Sequence, residues 1–257
     1  MNPLQALLSD KKQKLLSLFF TAGHPEAESA ANIIGAAESA GIDFLEVGMP
    51  YSDPLADGPV IQQSSTGAIA NGMTIALLLK QLHEIKSKTG IPLLLMGYLN
   101  PVMQYGTERF IREASEAGIS ALILPDLPIK EYLNDFQPLY RKYHISPVFL
   151  VTPRTSAARI RTIDQVSDAF IYVVSSAATT GTQKNYGQEQ TAYFRRLNSM
   201  GLKNPLICGF GIHNNQTLMQ AWDNLSGAIC GSAFIKKLDA HPDAEKAIKA
   251  LLRDLGL

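Results

Sequence analysis

The residues best suited to chemistry lie in one stretch, Leu45-Glu46-Val47-Gly48-Met49-Pro50-Tyr51-Ser52-Asp53-Pro54-Leu55-Ala56-Asp57-Gly58-Pro59. It opens as a strand over 43–47, with side chains alternating between two faces. It then becomes a run so crowded with proline, glycine and aspartate that it reads as a shaped loop and not a linker. Glu46 falls at or near the C-terminal end of the strand, and Asp57 further along the loop. Two carboxylates on opposite walls of one cleft are what acid–base chemistry on a neutral substrate needs. Taken singly, each has an ordinary reading, as a glutamate closing a strand and as an Asp-Gly turn. Their company in one dense loop favours chemistry.

A second pair of motifs suits an anion. Gly209-Phe210-Gly211 and Gly231-Ser232-Ala233 each follow a short apolar run. Glycine lets main-chain N–H groups approach a phosphate closely, and the Ser232 hydroxyl adds a donor, so no lysine or arginine is required. Tight strand-to-helix turns also select glycine, but two such runs on consecutive strands carry more weight than one.

Several chemistries drop out. No predicted strand interior holds a lysine for a Schiff base. The five histidines, His24, His83, His144, His213 and His241, have no zinc-like spacing. His24 and His213 read as turn or cap residues. The dinucleotide fingerprint Gly-x-Gly-x-x-Gly is absent. What survives is a cofactor-free carboxylate site beside a phosphate cradle.

These residues need elements to hold them. The chain has 257 residues, with 23 basic and 23 acidic side chains, so no net field draws it to nucleic acid or a membrane surface. Cys208 and Cys230 lie in apolar runs and read as buried hydrophobes, which suits a reducing cytoplasm. No signal-peptide layout or membrane-length apolar run is evident, and a soluble cytoplasmic protein is expected. Strands are predicted at 15–20, 43–47, 92–99, 120–124, 147–151, 169–174, 206–208 and 227–230. Helices are predicted at 4–8, 26–40, 74–88, 108–117, 131–143, 157–166, 189–200, 216–225 and 244–255, with Trp222 packed against the wall. Residues 175–187 read as a polar loop. Nearly all-apolar strands belong to a sheet buried on both faces. Eight strand–helix units in a chain of this size indicate an α/β fold, a single-domain (β/α)8 barrel over 1–257. A doubly wound open sheet is the alternative, since sequence alone does not show closure. In a barrel the active site forms where strands end. Glu46, Asp57, Tyr98, Asn100, Asp126, Gly181 and the two glycine runs would therefore share one face.

Residues 19–25, the 45–59 segment, Gly209-Phe210-Gly211-Ile212 and Gly231-Ser232-Ala233 together resemble the tryptophan synthase alpha chain family over nearly the whole length. The resemblance implies a lyase that cleaves indole-3-glycerol phosphate to indole and glyceraldehyde 3-phosphate. It implies Glu46 and Asp57 as the catalytic pair, with Glu46 protonating indole C3 and Asp57 bonding the indole N–H. It implies Gly181, Gly209, Gly211, Gly231 and Ser232 as the phosphate cradle, with Phe210 over it. Phe19, Met96, Ile123, Leu150, Tyr172 and Ile229 take the positions of an indole slot; for Ile123 and Ile229 ordinary core is an equal reading. Pro50, Tyr51, Asp53, Asn100 and Pro128 resemble positions facing a beta chain in an alpha2-beta2 tetramer. The pyridoxal phosphate belongs to that partner, and neither a cofactor nor a metal is expected here. Where the family shows Gly-Val-Thr-Gly, this chain has Ala178-Thr179-Thr180-Gly181, and Ser176 replaces a frequent arginine. Thr180 could still bond Asp57 in a closing lid, and protease nicking that falls on binding a substrate analogue would show closure. Rival readings are a non-catalytic regulator of the beta chain and a stand-alone phosphate-binding barrel enzyme.

Overall fold

A computed structural model of the chain describes residues 1–175, 187–241 and 243–257. Eight parallel strands close on themselves in chain order: β1 Leu15–Thr21, β2 Phe44–Gly48, β3 Leu93–Met96, β4 Ile119–Ile123, β5 Ser146–Val151, β6 Ile171–Val174, β7 Leu206–Gly209 and β8 Gly227–Cys230. The seam that closes the ring pairs Leu15 with Gly227 and Leu18 with Cys230. An open doubly wound sheet is thereby excluded.

Strand alternation sorts the apolar residues into two cores. Leu16, Leu18 and Phe20 of β1, with Leu45 and Val47 of β2 and Leu93 and Leu95 of β3, point outward to the helical ring. Leu15, Phe19, Phe44, Leu94, Ala121, Ile123, Val148, Tyr172, Ile207 and Ile229 point inward and fill the barrel. Both faces of each strand are buried, which explains why the strands read as continuous apolar runs. Within that inward set, β2 carries the charged exception: Glu46, in register between Phe19 of β1 and Leu94 of β3.

The helix Pro3–Asp10 lies across the N-terminal mouth. Asn2 caps it, and its amide donates to Ser120 O at 2.8 Å and Ser146 Oγ at 3.0 Å, at the starts of β4 and β5. Leu4 reaches the inner core.

The structure corrects several sequence-based boundaries. The residues after β2 are not all loop: Pro59–Ala70 is a 12-residue helix. β3 stops at Met96, so Tyr98 and Asn100 lie beyond it, at the start of the helix Leu99–Tyr105. The helix expected over 26–40 covers Ala30–Ser39, and that over 131–143 is interrupted by a wider turn at Tyr132–Phe136. A nine-residue helix, Ser232–Ala240, follows β8 ahead of the closing helix Ala244–Leu255. No helix among the described residues is long and apolar enough to cross a membrane.

Candidate active site

Glu46 is the third of the five residues of β2, inside the barrel rather than on its rim. It is 0% exposed, and neither carboxyl oxygen has a hydrogen-bond partner. An ionised carboxylate there would lose its hydration with nothing in return, so burial pushes its pKa up to about 8. Glu46 therefore holds its proton at neutral pH.

Asp57 sits in the loop between β2 and the helix Pro59–Ala70. It lines a small cleft with Phe19, Thr21, Gly48, Ile61, Ser65, Met96 and Tyr98. Its Oδ2 accepts a hydrogen bond from the Tyr98 hydroxyl at 2.8 Å. Burial raises the Asp57 pKa, and that hydrogen bond opposes the rise. The two carboxyl groups thus differ: one is sealed and unpaired, the other sits at the cleft and is held by a donor. Tyr172 of β6 faces both. Burial, and then the neighbouring Glu46, lift its phenol well above the ordinary range, with Asp57 adding to the effect.

The indole-slot candidates come together. Phe19, Ile123, Tyr172 and Ile229 are buried in the inner core, with half-buried Met96, Leu150 and Phe210 packed on it. Tyr172 and Phe210 meet edge-on at 6.2 Å. Glycine is required beside them: a Cβ at Gly209 would lie 1.9 Å from the Tyr172 hydroxyl, and one at Gly48 would lie 2.5 Å from the Phe19 ring.

The late glycine turns converge on the same mouth. Phe210 and Gly211 take φ of +79° and +81°, left-handed conformations that roll the chain over the end of β7. The Ser175 hydroxyl donates to Phe210 O at 2.8 Å, tying the end of β6 to this turn. Gly231 is the N-cap of Ser232–Ala240 and stands against Phe19. The first-turn N–H groups of a helix have no intrahelical acceptor, and the Ser232 hydroxyl is buried without a partner. This is a polar, anion-ready end to an otherwise apolar slot.

Pro50 and Tyr51 are half-buried on the rim, while Asp53, Asn100 and Pro128 are exposed. Thr180 and Gly181, with the departures at Ser176, Ala178 and Thr179, lie outside the described residues. Asp126 turns out to be structural: both its oxygens accept from Leu99 N–H, at 2.9 and 3.0 Å. His24 pairs with Asp239 at 2.8 Å, and the His213 ring bonds Gly211 O at 2.8 Å, so both are turn fasteners. Among the described residues no cluster of three or more His, Cys, Asp or Glu could hold a metal ion.

Sequence reasoning missed Ile61 and Ser65 as cleft residues because it read their helix as loop, and Thr21 because it ended the first strand one residue early. The signal was present: Gly58 and Pro59 stand as N-cap and first helical residue, and Ile61, Ser64, Ser65 and Ala68 recur at helical spacing.

The family model described as tryptophan synthase alpha chain matches residues 4–255. This chain belongs to the tryptophan synthase alpha chain family. It is 50% identical over 243 residues to the tryptophan synthase alpha chain of Christiangramia forsetii, covering 93% of this chain and 95% of that one. It is 45% identical over 257 residues to that of Bacteroides fragilis, covering 100% and 98%. The structure of tryptophan synthase subunit alpha from Legionella pneumophila superposes with a TM-score of 0.88 at 32% identity, covering 99% of this chain and 97% of that one. As a member of this family the chain is a lyase subunit of tryptophan synthase, acting on indole-3-glycerol phosphate, and an alpha chain implies a beta-chain partner.

Proposed function

We propose that Glu46 and Asp57 carry out the retro-aldol cleavage in this chain and that the two late glycine turns grip the substrate phosphate. Breaking the bond to indole C3 directly would leave a poor carbanion. Protonation at C3 first gives an indolenine, whose ring nitrogen accepts the electron pair as the bond breaks. The observation that carries the reading is the sealed, unpartnered Glu46 carboxyl, whose pKa of about 8 keeps a proton available at neutral pH. Glu46 donates to C3, and the carboxylate so formed takes the proton of the glycerol hydroxyl, which restores the acid and releases indole and the aldehyde. Asp57 accepts the indole N–H and stabilises positive charge developing at nitrogen. Phe19, Met96, Tyr172 and Ile229 flank the ring. Gly209, Phe210, Gly211, Gly231 and Ser232 hold the phosphate, with Thr180 and Gly181 assigned to the same site by family resemblance.

The rim residues Pro50, Tyr51, Asp53, Asn100 and Pro128 face a beta chain in a cytoplasmic alpha2-beta2 tetramer, and pyridoxal phosphate chemistry belongs to that partner. The test is indole release from indole-3-glycerol phosphate by the purified chain, alone and mixed with a beta chain. Slow release that the beta chain accelerates supports the reading. Fast release alone indicates a free lyase, and none in either setting indicates a regulator.

A further inference from the structure

A carboxylate carried on a loop must be aimed by something. Among the described residues, the Tyr98 hydroxyl is the one hydrogen-bond partner of the Asp57 carboxylate. The same oxygen accepts the Ala56 N–H at 3.0 Å, so Tyr98 grips the loop at two successive residues. Tyr98 is itself fixed from two sides. The N–H of the next residue, Leu99, is forked between the two oxygens of Asp126, which follows β4. Its ring lies 5.2 Å from that of Tyr51, whose hydroxyl accepts from Asn100 Nδ2 at 3.3 Å. A continuous chain of contacts thus runs from the rim to the catalytic loop.

We infer that Tyr98 is the positioning residue for Asp57, and that the rim pair Tyr51 and Asn100 sets where Tyr98 stands. The inference rests on the role assigned above to Asp57. It gives a beta chain seated on the rim a direct mechanical route to the active site: pressing Tyr51 moves the Tyr98 ring, and the hydroxyl carries Asp57 with it. The titratable groups facing this pair are Asp126 after β4, which faces Tyr98, and Tyr172 on β6, which faces Asp57 and also Glu46 on β2. The helix Pro59–Ala70 contributes Ser65 to the cleft and no charge.

The experiment measures kcat/KM for indole-3-glycerol phosphate against pH, on the full chain alone and with a beta chain, with thermal unfolding as a check on folding. A hydrogen bond to a charged group is worth about tenfold or more in rate, so Tyr98→Phe should lower kcat/KM about 10–100-fold. With the donor gone Asp57 holds its proton to higher pH, so the acid limb of the profile moves up. A merely structural role would lower activity without moving that limb. In an Asp57→Asn background, Tyr98→Phe should cost less than about twofold further, because the two act as one unit. Tyr51→Leu should move the limb in the same direction by less, and should cut the acceleration given by the beta chain. An unmoved limb in Tyr98→Phe, or additive losses in the double variant, overturns the positioning role. An unmoved limb in Tyr51→Leu overturns the link to the rim. Absence of turnover by the unaltered chain in both settings would instead overturn the proposed function itself.

Discussion

At the N-terminal mouth, the helix Pro3–Asp10 lies over the strand starts with Leu4 fully buried. Its cap is reciprocal, Asn2 and Gln5 each satisfying the other's main-chain N–H at 3.0 Å. At the C-terminal mouth, equally apolar strands lead to a buried carboxyl group without a partner, a serine hydroxyl without a partner and two consecutive left-handed residues. Both mouths leave buried hydroxyls without a partner, Ser120 and Ser167 at the strand starts and Ser232 at the strand ends, but among the described residues only the C-terminal side carries an unpartnered buried carboxyl group. Unmet polar groups cost stability, and they are tolerable where a ligand can meet them. The contrast predicts that changes at one mouth register in turnover and changes at the other in stability.

The sharpest break in the contrast is Glu46→Gln. If Glu46 is the proton donor proposed above, removing it should lower kcat by about 10²–10⁴-fold or more, measured by indole release. The same change should stabilise the fold. The folded pKa of about 8 lies above the ordinary 4.5, so the native state holds a proton that the unfolded chain has shed. Stability then falls as pH rises from about 4.5 to about 8, and is level above that. Denaturant titrations across this range should show that slope in the parent chain and lose it in Glu46→Gln, a gain of roughly 3 kcal/mol near pH 7. In kinetics, kcat/KM should fall on the alkaline side near pH 8, where the acid is lost. Asp57→Asn comes next: it should cost about 10²–10³-fold in kcat with little change in stability.

Leu4→Ala tests the opposite mouth. It should cost roughly 2–4 kcal/mol in denaturant unfolding while leaving the KM of the folded enzyme alone. A shift in KM would mean that the two mouths are coupled. The smallest effect belongs to Gly211→Ala. A Cβ at φ +81° adds about 1–2 kcal/mol of strain to the turn proposed to hold the phosphate, which should raise KM about tenfold in steady-state kinetics with kcat much less affected.

The barrel was legible because its cause is local. Continuous apolar strands and glycine helix ends such as Gly41 and Gly118, both at positive φ, state the alternation residue by residue. Glu46 was legible as a carboxyl in an apolar strand, and Gly209 and Gly231 as glycines at strand ends. Its missing partners were not, because they depend on what seven other strands bring. Tyr98 was visible as a residue past a strand, but its grip on Asp57 crosses 41 positions and leaves no trace in spacing. The helix Pro59–Ala70 was hidden by its loop-like prelude, although its buried positions keep helical order.

The chain's single tryptophan, Trp222, donates its indole N–H to Leu15 O at 3.0 Å. Leu15 opens β1 at the closing seam, where it pairs with Gly227 of β8. The emission of one fluorophore therefore reports whether the ring has zipped shut. Its anchor is at the far end of β1 from the glycine turns, so a glycerol phosphate ligand without an indole ring should leave its colour unchanged, and a refolding trace read at Trp222 in the absence of substrate should time barrel closure.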